Sequence, residues 1–272
     1  MLHVFSKSSI GYSHIKEKCQ CQDFSAVYKD PERIIITCCD GRGGKKYIRS
    51  HIGSHMASNA IINVFNSIHP SFFRLKNEEI ENKIKLSILC EWNKLVEEQI
   101  SYKSIKKYEL IDLNEDEILS LKSNPVIAYG TTLTGALLLG NKLLVVKIGD
   151  TECVGIRKGQ LIDIFDSSDD PAANVTYSMC QDDAFFYLQV KVLDFRDLDG
   201  IILCTDGLTS PYQSYDNFKN SFIKPMISKI VETRSLSYID AFIDEVASQL
   251  GVGDDVSLSF ILNDNITKKY YE

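Results

Sequence analysis

Several features that often decide a protein's class are missing from this chain. No run of about 18 apolar residues occurs, so no membrane-spanning helix is expected. The first residues, Met1-Leu2-His3-Val4-Phe5-Ser6-Lys7, lack the long apolar core of a signal peptide, which points to a cytoplasmic protein. Basic excess is absent as well. Thirty Lys and Arg stand against 37 Asp and Glu, a formal net charge of −7, and no nucleic-acid partner is expected of such a surface. Only five histidines are present in 272 residues, too few to suggest a histidine-rich metal site. The eight cysteines include no two pairs at zinc-ribbon spacing, and Cys19-Gln20-Cys21 stands alone. Cys38, Cys39, Cys153 and Cys204 sit inside apolar, strand-like runs, so reduced thiols are expected rather than a disulfide framework. Repeats, low-complexity tracts and composition breaks are also lacking. With 44% hydrophobic residues there is ample core for one domain spanning 1–272, expected as a monomer.

The apolar residues that are present are patterned. Ile34-Ile35-Ile36-Thr37-Cys38-Cys39 reads as a short buried strand that runs straight into Asp40-Gly41-Arg42-Gly43-Gly44. Residues 1–30 read as two strands around a turn, the second being Phe24-Ser25-Ala26-Val27-Tyr28. Ile48, Ile52, Met56, Ala60 and Val64 recur every four residues and predict a helix over 49–67. Ile80, Ile84, Ile88 and Trp92 predict a second over 77–101. Residues 102–125 are polar, carry the acidic run Asn114-Glu115-Asp116-Glu117, and read as a surface insertion with room for a short helix. From 129 the period changes to two, and strands over 131–139, 142–148, 152–157 and 160–165 read as a meander turning at Gly140-Asn141, Gly149-Asp150 and Lys158-Gly159. A loop over 166–183 follows, then strands over 185–195 and 201–205. Helices over 215–232 and 238–250 and a last strand over 256–262 complete the chain. Paired helices between antiparallel runs predict an α+β fold, a β-sandwich of two antiparallel sheets flanked by pairs of helices.

Four acidic positions share one setting. Asp40 and Asp206 each end an apolar strand and meet a glycine. Asp150 follows Gly149, and Asp254 follows Gly253 before the last strand. Asp23 opens a strand. Any one of these is ordinary turn chemistry. Asp40-Gly41 and Asp206-Gly207 are harder to dismiss, because a carboxylate buried at a strand end is costly unless paired or metal-bound, and no basic residue lies at matched spacing. Oxygen ligands without a convincing His or Cys set suit Mg²⁺ or Mn²⁺, and two such ions would lower the pKa of a shared water and clamp a phosphoryl oxygen.

Six short motifs in sequence resemble those of the metal-dependent serine/threonine phosphatases of the protein phosphatase 2C (PPM) type, in particular the bacterial members. They are Gly11-Tyr12-Ser13-His14 with Cys21-Gln22-Asp23, Cys39-Asp40-Gly41-Arg42-Gly43-Gly44, Gly130-Thr131-Thr132-Leu133, Ile148-Gly149-Asp150, Leu203-Cys204-Thr205-Asp206-Gly207 and Gly253-Asp254-Asp255-Val256-Ser257-Leu258. The resemblance spans about residues 10–262 and implies hydrolysis of a phosphoserine or phosphothreonine protein, the substrate of a cognate kinase, by a hydroxide bridging two divalent metals, without a covalent intermediate. In that scheme Asp40 bridges the ions, the Gly41 carbonyl ligates one, Asp206 and Asp254 complete the other site, and Asp23 acts at or near the metals through water. Asp150 with Asp206 would hold a weaker third ion. Lys18 falls where the family carries a phosphate-binding Arg and offers a point charge instead of a fork.

The departures from the family pattern matter. Gln22 replaces a frequent Glu and Asp255 a frequent Asn. Arg42 stands where some members have a His thought to protonate the leaving group. Arg cannot give up a proton at neutral pH, so Arg42 is expected to face phosphate with Lys18. Residues 166–183 correspond to the family's substrate-facing flap. Two other functions stay open: a catalytically weak regulator that binds a partner through this fold, and a hydrolase of small phosphorylated metabolites.

The remaining candidates divide between bland and sharp roles. His51 and His55, four apart on a helix, lack a third ligand. His14 either orients the site or makes an ordinary hydrogen bond. Cys38 and Cys39 flank the acidic turn as small strand residues, with inactivation by oxidation as the sharper idea. Lys45, Lys46 and Arg49 read as a solvated helix start, with phosphate recruitment as the alternative.

Overall fold

The apolar strand at 33–39 lies at the heart of one of two facing sheets in the computed structural model, which describes residues 2–165, 176–233, 235–249, 251 and 253–263. In chain order the elements are β1 (Leu2–Ser9), α1 (Tyr12–Glu17), β2 (Phe24–Lys29), β3 (Arg33–Cys39), α2 (Ser50–Asn66), α3 (Asn77–Tyr102), α4 (Glu115–Ser123), β4 (Leu133–Leu139), β5 (Lys142–Ile148), β6 (Glu152–Arg157) and β7 (Gln160–Asp163). After residue 175 come α5 (Ala184–Tyr187), β8 (Gln189–Asp194), β9 (Gly200–Cys204), α6 (Asp206–Thr209), α7 (Tyr215–Phe218), α8 (Lys224–Thr233), α9 (Ser237–Ala247) and β10 (Val256–Asn263). One sheet has the order β1-β10-β9-β6-β7 and the other β2-β3-β4-β5-β8, with antiparallel pairing throughout.

Strand alternation builds three apolar layers. On β3, Ile34, Ile36 and Cys38 face Cys153, Ile201, Leu203 and Ile261 of the opposite sheet. Their neighbours Ile35 and Cys39 turn outward to Ala57, Ile61, Ile88 and Trp92 of α2 and α3. The other sheet buries Ile202, Leu258 and Phe260 against Phe222, Ile227 and Ile243 from the α8–α9 side. This is the sandwich flanked by helix pairs that the periodicities predict.

Three local expectations are corrected. The predicted meander over 131–165 does not stay in one sheet: β4 and β5 belong to one, β6 and β7 to the other. The chain changes sheets at Gly149, whose φ of +97° few other residues tolerate. Residues 1–30 are not simply two strands around a turn. The first strand ends at Ser9, and a short helix with exposed or half-buried side chains follows. The strand expected over 185–195 begins only at Gln189, preceded by the turn of helix α5.

The insertion over 102–125 contains α4, and its acidic run has a structural reason: the Asn114 side chain accepts the Glu117 N–H at 2.9 Å while Glu117 accepts the Asn114 N–H at 2.9 Å, a reciprocal cap. Arg49 holds the insertion down. Only 2% exposed, it does not belong to a solvated basic cluster. It forks onto Glu109 at 2.8 and 3.0 Å and donates to the carbonyls of Lys103 and Ser104 and the Tyr129 hydroxyl. Of the flap expected over 166–183, residues 166–175 lie outside the described residues. All eight cysteines are free thiols. Among the described residues no helix is long and apolar enough to cross a membrane.

Candidate metal centre

One end of the sandwich carries an open cavity of about 330 Å³, lined by Asp23, Asp40, Asp150, Asp206, Asp254 and Asp255 together with Gly41, Arg42, Tyr47, Thr132, His14 and Gln22. The six carboxylates arrive on five strand ends, Asp254 and Asp255 sharing the start of β10.

Asp40 follows β3. Its carbonyl accepts from the Thr131 hydroxyl and the Thr132 N–H, both at 2.8 Å, and its N–H donates to the Thr132 hydroxyl at 2.9 Å. The Gly130-Thr131-Thr132 segment is thus the clamp on the acidic turn. Gly41 lies so close to Gln22 that a Cβ there would sit 2.6 Å from the Gln22 carbonyl oxygen. Asp206 opens α6, and Gly207 beside it passes within 2.0 Å, measured from an added Cβ, of the Asp255 carbonyl. The glycines after these two aspartates therefore admit backbone, as well as turning the chain. Asp150 accepts the Thr176 hydroxyl at 2.5 Å. Asp23, 5% exposed, accepts the Thr205 hydroxyl at 2.7 Å.

The crowding has electrostatic consequences. Burial pushes the Asp40 carboxyl well above the ordinary range, and Asp23, Asp206, Asp150 and Asp254 add to the shift. Burial likewise raises Asp206, with Asp150 and Asp254 contributing, and its carboxyl is hydrogen-bonded to that of Asp40. Burial pushes Asp23 up to about 8, against the pull of the Thr205 hydroxyl and with the help of Asp255. Among the described residues no three His, Cys, Asp or Glu side chains close into a finished metal cage; like charges repel one another across the cavity. The donor set nonetheless fits a divalent cation: all oxygen, mutually repelling and without a buried basic partner.

A pH dependence follows. A carboxyl whose pKa is raised on folding favours the fold below its ordinary value, and this contribution is lost as pH rises through the folded value. For Asp23 that window runs from 3.8 to about 8. Thermal melts in EDTA should fall across this range relative to melts in saturating Mn²⁺. Mn²⁺ binding near neutral pH should release protons, read as a buffer-dependent enthalpy in calorimetry. Parallel melting curves in EDTA and Mn²⁺ across the window would rule out the linkage.

Of the residues singled out in the sequence, the structure brings Asp23, Asp40, Gly41, Arg42, Asp150, Asp206 and Asp254 to the cavity. It does not bring Lys18, which caps α1 with a left-handed φ of 60° and is exposed. A short solvent-facing helix turns it outward, and the phosphate-facing role expected of it lacks geometric support. Arg42 stands at the rim, its guanidinium 5.6 Å from the Tyr47 ring centre, with the Lys46 ammonium 5.2 Å from the same centre. The His51 and His55 pair joins no metal cluster, and the His55 ring packs 3.5 Å from that of Phe24. Cys38 and Cys39 are fully buried. Burial pushes the Cys39 thiol up to about 12 and the Cys38 thiol well above its ordinary range, so neither is poised for oxidation.

Sequence reasoning gave no role to Asp255. It is 4% exposed, and its carboxylate accepts the Gly11 N–H at 2.7 Å and the Gln22 N–H at 2.6 Å. The His14 Nδ1 lies 2.9 Å away. One carboxylate therefore ties the start of the chain to its last motif. The acid in place of a frequent Asn was the only signal of this role.

Comparison with known proteins agrees with this geometry. The family model described as protein phosphatase 2C matches residues 10–242. No curated protein matches the chain by sequence. Among solved structures, a serine/threonine phosphatase from Staphylococcus aureus superposes with a TM-score of 0.60 at 15% identity, covering 96% of this chain and 95% of that one. The serine/threonine phosphatase PstP from Mycobacterium tuberculosis gives 0.58 at 15% identity, covering 97% and 99%. The PstP catalytic domain in complex with two manganese ions gives 0.56 at 15% identity, covering 96% and 97%. At these identities the structural likeness establishes the fold. The match of the family model over most of the sequence goes further: the chain belongs to the protein phosphatase 2C family.

Proposed function

We propose that this protein is a divalent-metal-dependent phosphatase of phosphoserine and phosphothreonine proteins. The observation that carries the reading is the convergence of Asp40, Asp206 and Asp254, far apart in sequence, on one cavity that Arg42 also lines. Asp40, the Gly41 carbonyl, Asp206 and Asp254, with Asp23 close by, would hold two cations. Asp150 beside Asp206 would serve a third. When bound, the cations supply a water that ionises near neutral pH and neutralise charge on the phosphoryl oxygens. The chain's own residues do the rest. Thr131 and Thr132 fix the Asp40 turn, Thr205 orients Asp23 and Thr176 orients Asp150. Arg42 offers the phosphate dianion a cation on the open side. A partner-binding regulator without catalysis would have no need of so many mutually repelling carboxylates at one spot.

The test is Mn²⁺-dependent phosphate release from a phosphothreonine peptide, run beside small metabolite phosphoesters. Peptide turnover that exceeds the metabolite rates and vanishes in EDTA is the expected result. Turnover of metabolites alone would move the protein to the small-molecule class, and no turnover despite tight Mn²⁺ binding would leave a regulator.

A further inference from the structure

We propose that His14, held by Asp255, is the group that protonates the leaving serine or threonine oxygen; this rests on the phosphatase reading above. Arg42 keeps its protons at neutral pH, and the Gln22 amide has none to give. The Tyr47 ring is engaged by two cations, and the cavity's other acidic side chains are the carboxylates assigned to metals and Asp255, whose oxygens accept the Gly11 and Gln22 N–H groups. Among the cavity-lining side chains that leaves one imidazole.

The geometry suits the role. His14 sits on α1 with its side chain 18% exposed, and its Nδ1 is 2.9 Å from Asp255 Oδ2. That approach is at ion-pair distance but off the hydrogen-bond line, a looseness common before substrate tightens a site. Asp255 cannot swing away, because the Gly11 and Gln22 N–H groups grip both its oxygens. α1 is fixed to the last motif in turn, since the Ser13 N–H and hydroxyl both donate to the Gly253 carbonyl, at 2.9 and 2.6 Å. A carboxylate at Nδ1 favours the tautomer with the proton there, leaving Nε2 for the cavity. In the step, water forms a new O–P bond as the P–O bond to the side-chain oxygen breaks. The bonding pair stays on that oxygen and takes the Nε2 proton, so the product leaves as a neutral alcohol. The attacking water gives one proton to solvent and the imidazole regains one, so one water is consumed per phosphate released.

Leaving-group dependence tests this. An alkoxide needs protonation, whereas p-nitrophenolate leaves readily without it. With Mn²⁺ present, His14→Gln should lower kcat for a phosphoserine peptide by about 100-fold or more and for p-nitrophenyl phosphate by less than about 10-fold, with KM changed less than about threefold. Asp255→Asn, acting only through the ring's orientation, should show the same bias at smaller size. Long-range ¹H–¹⁵N spectra of the wild-type protein should place the neutral ring's proton on Nδ1, and Asp255→Asn should release that preference. Equal losses on both substrates, a loss carried by KM, or a proton fixed on Nε2 would each overturn the assignment. A wild-type protein that hydrolyses neither substrate would instead sink the phosphatase reading, a separate outcome.

Discussion

Asp40→Ala should eliminate Mn²⁺-dependent phosphate release while leaving the metal-free fold as stable as before. Changing a residue that merely supports a ligand costs about 10–100-fold in activity or metal affinity. Asp40 is proposed as a ligand itself, so a loss well above 100-fold is expected. Its backbone is pinned by Thr131 and Thr132, and its carboxyl lies within electrostatic reach of Asp23, Asp206, Asp150 and Asp254. Those same neighbours set the sign of the stability effect. In EDTA they repel one another, so deleting the Asp40 carboxyl removes repulsion along with one carboxyl–carboxyl hydrogen bond. The melting temperature in EDTA should therefore hold or rise, while the rise normally produced by Mn²⁺ disappears. Asp206→Ala should behave alike. Two measurements separate the possibilities: steady-state turnover of a phosphothreonine peptide, and melts with and without Mn²⁺. Retained turnover in either variant would reject the two-metal arrangement. A lower melting temperature in EDTA would mean that the carboxyl serves the fold more than the metal.

How far the sequence foretold this site depends on the reach of each signal. The aspartates at 40, 150, 206 and 254 were legible because each is adjacent to a glycine at a strand end, a local pattern tied to strand termination. The structure adds why two of those glycines are required: their missing side chains leave room for the Gln22 and Asp255 carbonyls. The helix pair α2 and α3 was legible because its fourfold repeat of apolar residues is also local. What failed was long-range or brief. A period of two says that a strand has two faces, but not which sheet it joins. Besides its hairpin mate β7, β6 pairs with β9, which begins 48 residues after β6 begins. α1 spans six residues, too few for a helical period to show, so the spacing of Lys18 to Asp23 does not reveal that Lys18 lies outside the cavity lining. The side-chain partners of Arg49 lie 54 to 80 residues away and those of the Asp255 carboxylate 233 or more. For such pairs the sequence shows an ion without its counter-ion, so Arg49 reads as surface although it is interior.

Arg49→Ala should be among the most destabilising single changes outside the apolar core. The side chain is 2% exposed, and all its polar atoms are spent on the 103–109 segment and Tyr129. Alanine would leave Glu109, the Tyr129 hydroxyl and the Lys103 and Ser104 carbonyls without their donor. Breaking a buried ion pair from one side costs about 3–5 kcal/mol. Glu109 keeps 16% side-chain exposure and can partly rehydrate, which favours the lower end, roughly 3 kcal/mol, or about 5 °C in melting temperature. Arg49→Lys should recover little, since an ammonium cannot span both carboxylate oxygens and two carbonyls at once. Trp92, the only tryptophan of the chain, offers the readout: its indole is fully buried and donates to the Gly53 carbonyl at 3.3 Å, on the helix that Arg49 precedes. The hydrogen bond from Arg49 holds the Glu109 carboxyl below its ordinary 4.5. A depressed carboxyl adds stability above that value and loses it as pH falls through the folded one. The gap between wild type and Arg49→Ala in urea midpoint should accordingly narrow on acidification. A midpoint unchanged at neutral pH would show that the fork adds no net stability, and a gap that widened in acid would assign the loss to packing around the guanidinium instead of its charge.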